Sequence, residues 1–114
     1  MGRLPPGIAR LRNLRILNLD DSNLSGTIPP ELGRLSNLRE LKLYGNSLEG
    51  TIPSELGLCS ELTYFNLTSN NVGGQLPPEL FNCTKLRLID FIANRFSGTL
   101  PSEISQLQDL KFCE

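Results

Sequence analysis

The sequence contains no histidine and no tryptophan, and it has only three cysteines, at positions 59, 83 and 113. Without histidine, a Ser-His-Asp triad cannot be assembled. No Cys-x-x-Cys pair occurs, so the usual ligand sets of a structural zinc site are missing as well. The only close carboxylate pair is Asp20 and Asp21, which is better explained as solvated charge. We therefore expect no metal, no cofactor and no enzymatic activity.

The sequence also lacks any run of basic residues and any long apolar run. Its 11 basic and 12 acidic residues are scattered, with a formal net charge of −1, so nothing predicts a nucleic-acid partner. No apolar stretch approaches the ~18 residues of a membrane span. The opening segment, MGRLPPGIARL, has no signal-peptide core, which takes about 7–15 apolar residues. We expect no membrane segment within the chain as given.

What the sequence does contain is a repeat of 24 residues. The motif LSGTIP at 24–29 returns as LEGTIP at 48–53, VGGQLP at 72–77 and FSGTLP at 96–101. Agreement in many columns at one period is the mark of a repeat architecture. We expect one domain over 1–114, with full units at 11–34, 35–58, 59–82 and 83–106 and partial units at 1–10 and 107–114. Its core columns include Leu17/Leu41/Phe65/Ile89/Cys113, Leu24/Leu48/Val72/Phe96, Ile28/Ile52/Leu76/Leu100 and Leu32/Leu56/Leu80/Ile104.

The letters of one unit predict its local structure. Alternation in Leu41-x-Leu43 predicts a short strand with both leucines pointing inward. The asparagine column that follows (Asn46, Asn70, Asn94) suits a sharp turn, because the amide can bond backbone groups that the curve leaves unpaired. Glycine and proline then turn the chain, and PPELGRL at 29–35 predicts a 3₁₀ or short helical turn. One coil cannot bury its apolar side alone, so the coils must stack.

The segment LRELKLYGNSLEGTIPSELGLC at 38–59 resembles the plant-type leucine-rich repeat, LxxLxLxxNxLxGxIPxxLGxL. Departures are modest: Ser22 replaces asparagine, and Phe65 replaces leucine. Asn82 and Gln106 follow Phe81 and Ser105, where Leu-Gly is usual. The resemblance implies an α/β right-handed solenoid, with short parallel strands on the concave face and 3₁₀ or short helical turns outside. It also implies that LxGxIP forms an extra short strand beside the concave sheet.

The resemblance further implies a non-catalytic recognition role, as in the extracellular part of a plant receptor-like kinase or receptor-like protein. It implies a peptide or protein ligand, a co-receptor as a further partner, and an extracellular, plasma-membrane location. No kinase motifs are present: the chain has no Gly-rich loop with its lysine, no HRD and no DFG. One alternative is a secreted inhibitor of a cell-wall-degrading enzyme, like the polygalacturonase-inhibiting proteins.

The phase of the repeat at the two termini suggests a further alternative. Leu4-Pro5-Pro6 stands in the phase of Ile28-Pro29-Pro30, and Glu114 stands in mid-strand. We therefore expect a piece of a longer solenoid. Uncapped solenoid ends expose apolar columns, so end-to-end self-association is the second alternative to recognition.

The residues that alternate with the buried leucines are expected to line the concave face. Aromatic residues flanked by a few charges are typical of binding hot spots, although single exposed apolar residues are also ordinary. The same phase predicts Phe112 in the exposed column of Leu88. The candidate ligand-binding residues are Glu40, Lys42, Tyr44, Tyr64, Asn66, Arg87, Leu88, Asp90 and Ile92, of which Tyr44, Tyr64, Leu88 and Ile92 are expected to form an apolar strip.

Cysteines and sequons complete the prediction. Cys59 and Cys83 occupy the column of Leu35, so we expect buried free thiols that act as small hydrophobes. They would lie on adjacent coils about 5 Å apart, which leaves a disulfide as the alternative. The glycosylation sequons begin at Asn23, Asn66 and Asn82. A glycan on Asn66 would block the concave face, so either that sequon is unused or unit three does not bind there.

Overall fold

The computed structural model describes residues 2–97 and the backbone of a strand at 111–113. The predicted core positions Leu100 and Ile104, together with Gly98 and Pro101 of the FSGTLP motif, lie outside the described residues. The described part is built from ten short strands and four 3₁₀ turns, and none of its helices is long and apolar enough to cross a membrane.

The concave face is a five-stranded parallel sheet. Its strands, in spatial order, are β2 (Ile16–Asn18), β4 (Glu40–Lys42), β6 (Tyr64–Asn66), β8 (Leu88–Asp90) and β10 (Lys111–Cys113). The first four strands pair residues 24 apart, so that Leu17, Leu41, Phe65 and Ile89 stand opposite one another. All four are buried, which confirms that this column faces the core.

A second set of strands runs beside the first sheet. β1 (Gly2–Arg3), β3 (Leu24–Thr27) and β5 (Ser47–Glu49) form a three-stranded parallel sheet, and β7 (Gly73–Gly74) pairs with β9 (Arg95–Phe96). The extra strand expected from LxGxIP is therefore confirmed. These strands pair residues 22 apart, as Ser25 opposite Ser47, so the second sheet is staggered by two residues from the repeat.

Where the structure describes the outer side of a coil, it is a 3₁₀ turn, at Pro6–Arg10, Pro30–Arg34, Ser54–Leu58 and Pro78–Asn82. A proline precedes every turn in the extended conformation. The turns pack closely, because a Cβ added to Gly33 would lie 2.3 Å from the carbonyl oxygen of Glu55 on the next coil. The predicted solenoid, with strands inside and 3₁₀ turns outside, is confirmed.

The interior is one hydrophobic core, built from equivalent positions of successive repeats. Leucines at 32, 35, 38, 41, 43, 48, 56, 62, 67 and 80 are fully buried. Leu24 and Ile28 of the LSGTIP motif also lie in this core, whereas Gly26 turns the chain with a φ of 80°. The repeated motif is therefore structural: its apolar letters fill the core and its glycine adopts a left-handed conformation that other residues avoid.

The last strand departs from the predicted phase. β10 pairs with β8 at a spacing of 23, so Phe112 stands opposite Ile89 and Cys113 opposite Asp90. The prediction that Cys113 occupies the core column and Phe112 the exposed column was therefore wrong. A shift of one residue exchanges the two faces of a strand, and register follows the apolar pattern.

Cys59 and Cys83 are buried free thiols. Each Sγ donates a hydrogen bond of 3.4 Å to a carbonyl oxygen of the preceding coil, at Leu32 and Leu56 respectively. Burial raises the pKa of Cys59 to about 11. Burial, with a smaller contribution from Cys59, raises the pKa of Cys83 to about 12. Both thiols are therefore protonated at neutral pH and serve as apolar packing groups with a weak donor.

Candidate functional site

The predicted binding residues lie on or beside the strands of the concave sheet. Side chains alternate along a strand, so the residues on either side of buried Leu41, Phe65 and Ile89 point away from the core. Six predicted residues are half-buried: Glu40, Lys42, Tyr64, Asn66, Leu88 and Asp90. Arg87, which precedes β8, is exposed, and Tyr44 and Ile92, which follow β4 and β8, are 41% and 44% exposed.

Two adjacent coils are linked by charge and aromatic contacts. Lys42 Nζ lies 3.3 Å from Glu40 Oε1 and 5.9 Å from the centre of the Tyr64 ring. The lysine thus holds an ion pair on its own strand and a cation–π contact with the next strand. Asn66 Nδ2 in turn donates a hydrogen bond of 3.1 Å to the Tyr64 hydroxyl.

The contacts continue onto the fourth coil through Thr68. Its backbone N–H donates to Asn66 Oδ1 at 3.0 Å, and its hydroxyl donates to Asp90 Oδ1 at 2.7 Å. We call Glu40, Lys42, Tyr64, Asn66, Thr68 and Asp90 the concave polar row. Thr68 was absent from the predicted site, although its place in the exposed column of Tyr44 and Ile92 was a usable signal.

The four apolar residues expected to form one strip are divided by the structure. Tyr64 and Leu88 are register partners on neighbouring strands. Tyr44 and Ile92 belong to another column and stand two coils apart, with polar Thr68 on the coil between them. The structure therefore brings together Tyr64 and Leu88 and separates Tyr44 from Ile92.

Charge is distributed unevenly across the face. Arg15, Arg39 and Arg87 are exposed and stand immediately before β2, before β4 and before β8. Asp20 and Asp21 follow β2 at the opposite edge, where Asp20 Oδ1 accepts a hydrogen bond of 2.8 Å from the Tyr44 backbone N–H. The edge where the strands begin is thus basic, and the edge where they end carries carboxylates.

An asparagine ladder supports the face from behind. Asn46 Oδ1 accepts hydrogen bonds from the backbone N–H groups of Ser22 and Leu24, at 3.0 and 2.9 Å. Asn70, which is 7% exposed, accepts from Leu48 N–H and donates to the carbonyl oxygen of Leu43. Asn94 repeats the arrangement. The predicted turn role of this column is confirmed, and the bonds run between coils as well as within them.

The three sequons lie in different environments. Asn23 and Asn82 are exposed, whereas Asn66 is half-buried and its amide nitrogen donates a hydrogen bond to the Tyr64 hydroxyl.

Within the described residues, no group of three His, Cys, Asp or Glu side chains could hold a metal ion. A groove of about 440 Å³ lies away from the concave face, across the partial unit at 1–10 and the first two full units, and its lining includes Arg3, Pro5, Glu31 and Glu49.

The family model for leucine-rich repeats matches residues 12–72, just over half of the 114 residues. No curated protein matches the chain. Solved structures do, including PEPR1 in complex with AtPEP1, which is 42% identical with a TM-score of 0.96 over 99% of this chain and 16% of that chain.

Two further structures show the same similarity. The Arabidopsis receptor kinase HAESA, in complex with the peptide hormone IDA and the co-receptor SERK1, is 38% identical with a TM-score of 0.93 over 99% of this chain and 19% of that one. The ectodomain of the plant membrane receptor kinase GASSHO1/SCHENGEN3 from Arabidopsis thaliana, in complex with CASPARIAN STRIP INTEGRITY FACTOR 2, is 36% identical with a TM-score of 0.93 over 98% and 14%. The chain thus spans less than a fifth of each of these three proteins.

Proposed function

Because this chain belongs to the leucine-rich-repeat family, with a repeat of the plant type, we propose that it is a non-catalytic recognition module. It binds a peptide or protein ligand through the concave face, as part of a plant receptor-like kinase or receptor-like protein. Its place is outside the cell at the plasma membrane, and a co-receptor is a further partner. The complexes of similar receptors with a peptide hormone and a co-receptor support this proposal.

The concave polar row supports the proposal most directly. Its residues are relieved of core packing, yet a contact from each to the next holds them in place across three coils. A face ordered before binding loses less side-chain entropy when a ligand arrives. The asparagine ladder holds the backbone beneath it through bonds between coils.

The size of the face limits the affinity expected of this chain. Five strands about 4.8 Å apart, with roughly four exposed residues of ~3.3 Å on each, offer on the order of 300 Å². A standard interface takes about 800 Å² from each partner. We therefore expect the chain alone to hold part of a ligand, with weaker binding than a longer array of the same repeats would give.

A library of random ten-residue peptides displayed on phage tests the proposal. Peptides selected on the chain are synthesised and titrated against a Tyr44→Ala/Ile92→Ala variant, which removes two exposed apolar side chains from the concave face. The matched control is Leu58→Ala, because Leu58 is 66% exposed on a 3₁₀ turn outside. We expect the concave variant to weaken binding about five- to thirtyfold, equivalent to about 1–2 kcal/mol, and the control to bind as the parent does.

Selected peptides that respond to Leu58→Ala and ignore the concave variant would overturn the proposal. So would the absence of any peptide enriched above an unrelated repeat protein of similar size.

A further inference from the structure

We propose that Asn82 is a glycosylation site, and that the first sugar of its glycan covers the exposed side chain of Leu58 on the preceding coil. The inference takes from the proposed function only the location of the chain outside the cell, because glycans of this kind are added to secreted segments. It depends on three features: the accessible sequon, the unbonded side-chain amide of Asn82, and the apolar surface beside it.

The sequon at Asn82 is presented on the outer side of the fourth coil. Asn82 ends the 3₁₀ turn Pro78–Asn82, and Cys83 follows as its C-cap. Asn82 and Thr84 are exposed, whereas Cys83 between them is fully buried. The two side chains that define the sequon are therefore accessible together, while the residue between them packs in the core.

The amide of Asn82 is available for modification. Among the described residues, its side chain has no hydrogen-bond partner. At Asn66, by contrast, Nδ2 donates to the Tyr64 hydroxyl at 3.1 Å and Oδ1 accepts the Thr68 N–H at 3.0 Å. A sugar on Asn66 would crowd these contacts of the concave polar row, whereas a sugar on Asn82 disturbs no hydrogen bond in the described part of the fold.

The modification is a substitution at the anomeric carbon of N-acetylglucosamine, the first sugar of the glycan. The donor is a lipid diphosphate oligosaccharide of the secretory pathway. Asn82 Nδ2 forms a bond to the anomeric carbon and releases one proton to solvent, while the bond from that carbon to the diphosphate oxygen breaks. The lipid diphosphate leaves with the electron pair. The product is a neutral amide that carries a bulky polar group on the surface.

The apolar surface beside the sequon is Leu58, which is 66% exposed, more than any other large apolar side chain of the described residues. It ends the 3₁₀ turn Ser54–Leu58, which is the place that Asn82 has in the next turn. The two turns are in close contact, because a Cβ added to Gly57 would lie 2.2 Å from the Glu79 carbonyl oxygen. Leu58 and Asn82 therefore lie side by side on the outer surface, about one coil spacing of ~5 Å apart.

N-acetylglucosamine matches this surface. The C–H groups on one face of the ring and the acetyl methyl group are apolar, whereas the hydroxyl groups reach water. Covering the leucine with that face removes apolar surface from water, which is favourable. Beyond Leu58, a groove of about 250 Å³ is lined by Arg34 and Glu55 among others, so further sugars meet hydrogen-bond donors and acceptors.

The glycan leaves the concave face open. Asn82 lies on the outer turn, whereas the predicted binding side chains lie on or beside the strands of the concave sheet. The sequon at Asn23 provides a matched comparison. Asn23 is also exposed, but the equivalent residue of the next repeat is polar Ser47, so a sugar there has no exposed leucine beside it.

Mass spectrometry tests the modification on the full chain, produced in plant cells with a cleavable secretion signal. A glycoamidase in ¹⁸O water marks each occupied asparagine as ¹⁸O-aspartate. We expect Asn82 to be occupied in most molecules, and Thr84→Ala, which breaks the sequon but keeps the asparagine, to abolish the label. Occupancy is read on every molecule that has lost its signal, inside or outside the cell, so poor secretion does not prevent the measurement.

Thermal unfolding tests the contact with the leucine. We expect Asn82→Gln to lower the unfolding temperature of the glycosylated chain by about 2–5 °C, and by less than ~1 °C when Leu58→Ser is also present, because the sugar then covers no apolar side chain. Asn23→Gln is the control and should change the unfolding temperature by less than ~1 °C. In a chain made in bacteria, which carries no glycan, Asn82→Gln should be neutral.

Two results would overturn the inference: an unmodified Asn82 in molecules that have lost the signal, or equal losses from Asn82→Gln with and without Leu58→Ser. Its failure is distinguishable from failure of the proposed function, because the library peptides are titrated on a chain made in bacteria. Peptides that bind the concave face of that chain would leave recognition standing even if Asn82 carried no glycan.

Discussion

At the scale of single residues, the asparagines after the strands do more than turn the chain. Asn70 accepts Leu48 N–H at 3.1 Å and donates to Leu43 at 2.8 Å and to Leu67 at 3.0 Å. All three hydrogen bonds are buried, and two of them reach groups of the preceding coil. One side chain therefore satisfies backbone groups on two successive coils, which ties the stack together.

Replacing Asn70 with alanine removes the side-chain acceptor of the Leu48 N–H. The carbonyl oxygens of Leu43 and Leu67 each lose one donor but keep Asn46 and Asn94. We expect a loss of about 1–3 kcal/mol in the free energy of unfolding, the cost of one unsatisfied buried group. The next residue, Asn71, is exposed, so Asn71→Ala is a matched control with an expected change below ~0.5 kcal/mol. Urea denaturation followed by circular dichroism measures both, and equal losses would contradict the role of the ladder.

The two buried thiols lead to a prediction about pH. The thiols of Cys59 and Cys83 ionise near 9.0 in the unfolded chain but at about 11 and about 12 in the fold. Between those values the unfolded state binds fewer protons, so stability falls as pH rises from about 9 to 11. The stability that the protonated thiols contribute is fully present below pH 9.

The Cys59→Ala/Cys83→Ala variant isolates the contribution of the two thiols to this loss of stability. It should be less stable than the parent at pH 8 because packing is lost, yet its stability should fall less between pH 8 and pH 10.5. Denaturant unfolding at the two pH values provides the comparison. Parallel losses in both proteins would show that the thiols do not control the alkaline transition.

At the scale of elements, the 3₁₀ turns set how closely the coils approach. Gly33 and Gly57 occupy equivalent places in successive turns, and a Cβ on either would lie 2.2–2.3 Å from a backbone carbonyl oxygen of the following turn. A backbone oxygen cannot rotate away as a flexible side chain does. Glycine is needed at these two positions for the approach of the coils, and not for a left-handed conformation.

Gly33→Ala should therefore destabilise the chain, by about 1–3 kcal/mol, because the coils must separate or shift to admit the methyl group. Gly7 lies in the first 3₁₀ turn with nothing within 4 Å of an added Cβ, so Gly7→Ala serves as the control. We expect the control to be neutral or slightly stabilising, since alanine restricts the unfolded chain. Thermal unfolding measures both variants. Equal melting temperatures for Gly33→Ala and Gly7→Ala would contradict the close approach of the turns at Gly33.

At the scale of the whole molecule, the solenoid is stabilised by contacts between neighbouring coils. Strands pair only with adjacent strands, and each 3₁₀ turn packs on the next. The stability of such an array is close to a sum of coil and interface terms. A core residue on a coil with neighbours on both sides therefore contributes more to the free energy of unfolding than the same residue on an outer strand.

Leu41 and Leu17 test this difference, since they are the same residue type in the same column. Leu41 is fully buried on β4, between β2 and β6, whereas Leu17 lies on the edge strand β2 and is 6% exposed. We expect Leu41→Ala to cost about 3–5 kcal/mol and Leu17→Ala about 1–3 kcal/mol, because the outer site relaxes more easily around a cavity. Guanidinium denaturation measures both variants. Equal losses of unfolding free energy would contradict the difference between inner and outer coils.

Much of the fold was determined by the sequence alone. The 24-residue columns identified the strands, the asparagine turns, the prolines before the 3₁₀ turns and the buried residues, since period-2 alternation and repetition decide which side chains point inward. All nine predicted binding residues lie on or beside the concave sheet for the same reason. Phe81 stands where the repeat favours glycine. The sequence showed this departure from the repeat but not where the side chain lies, and the structure buries the ring completely.

Only the tertiary structure decided how coils meet. The stagger of 22 in the second sheet, the spacing of 23 at β10 and the hydrogen bond from Thr68 to Asp90 all depend on which atoms of one coil reach the next. A period gives the distance between equivalent residues along the chain. It does not give the lateral shift between strands or the rotamers that join them, because those are set by packing and hydrogen bonding between coils.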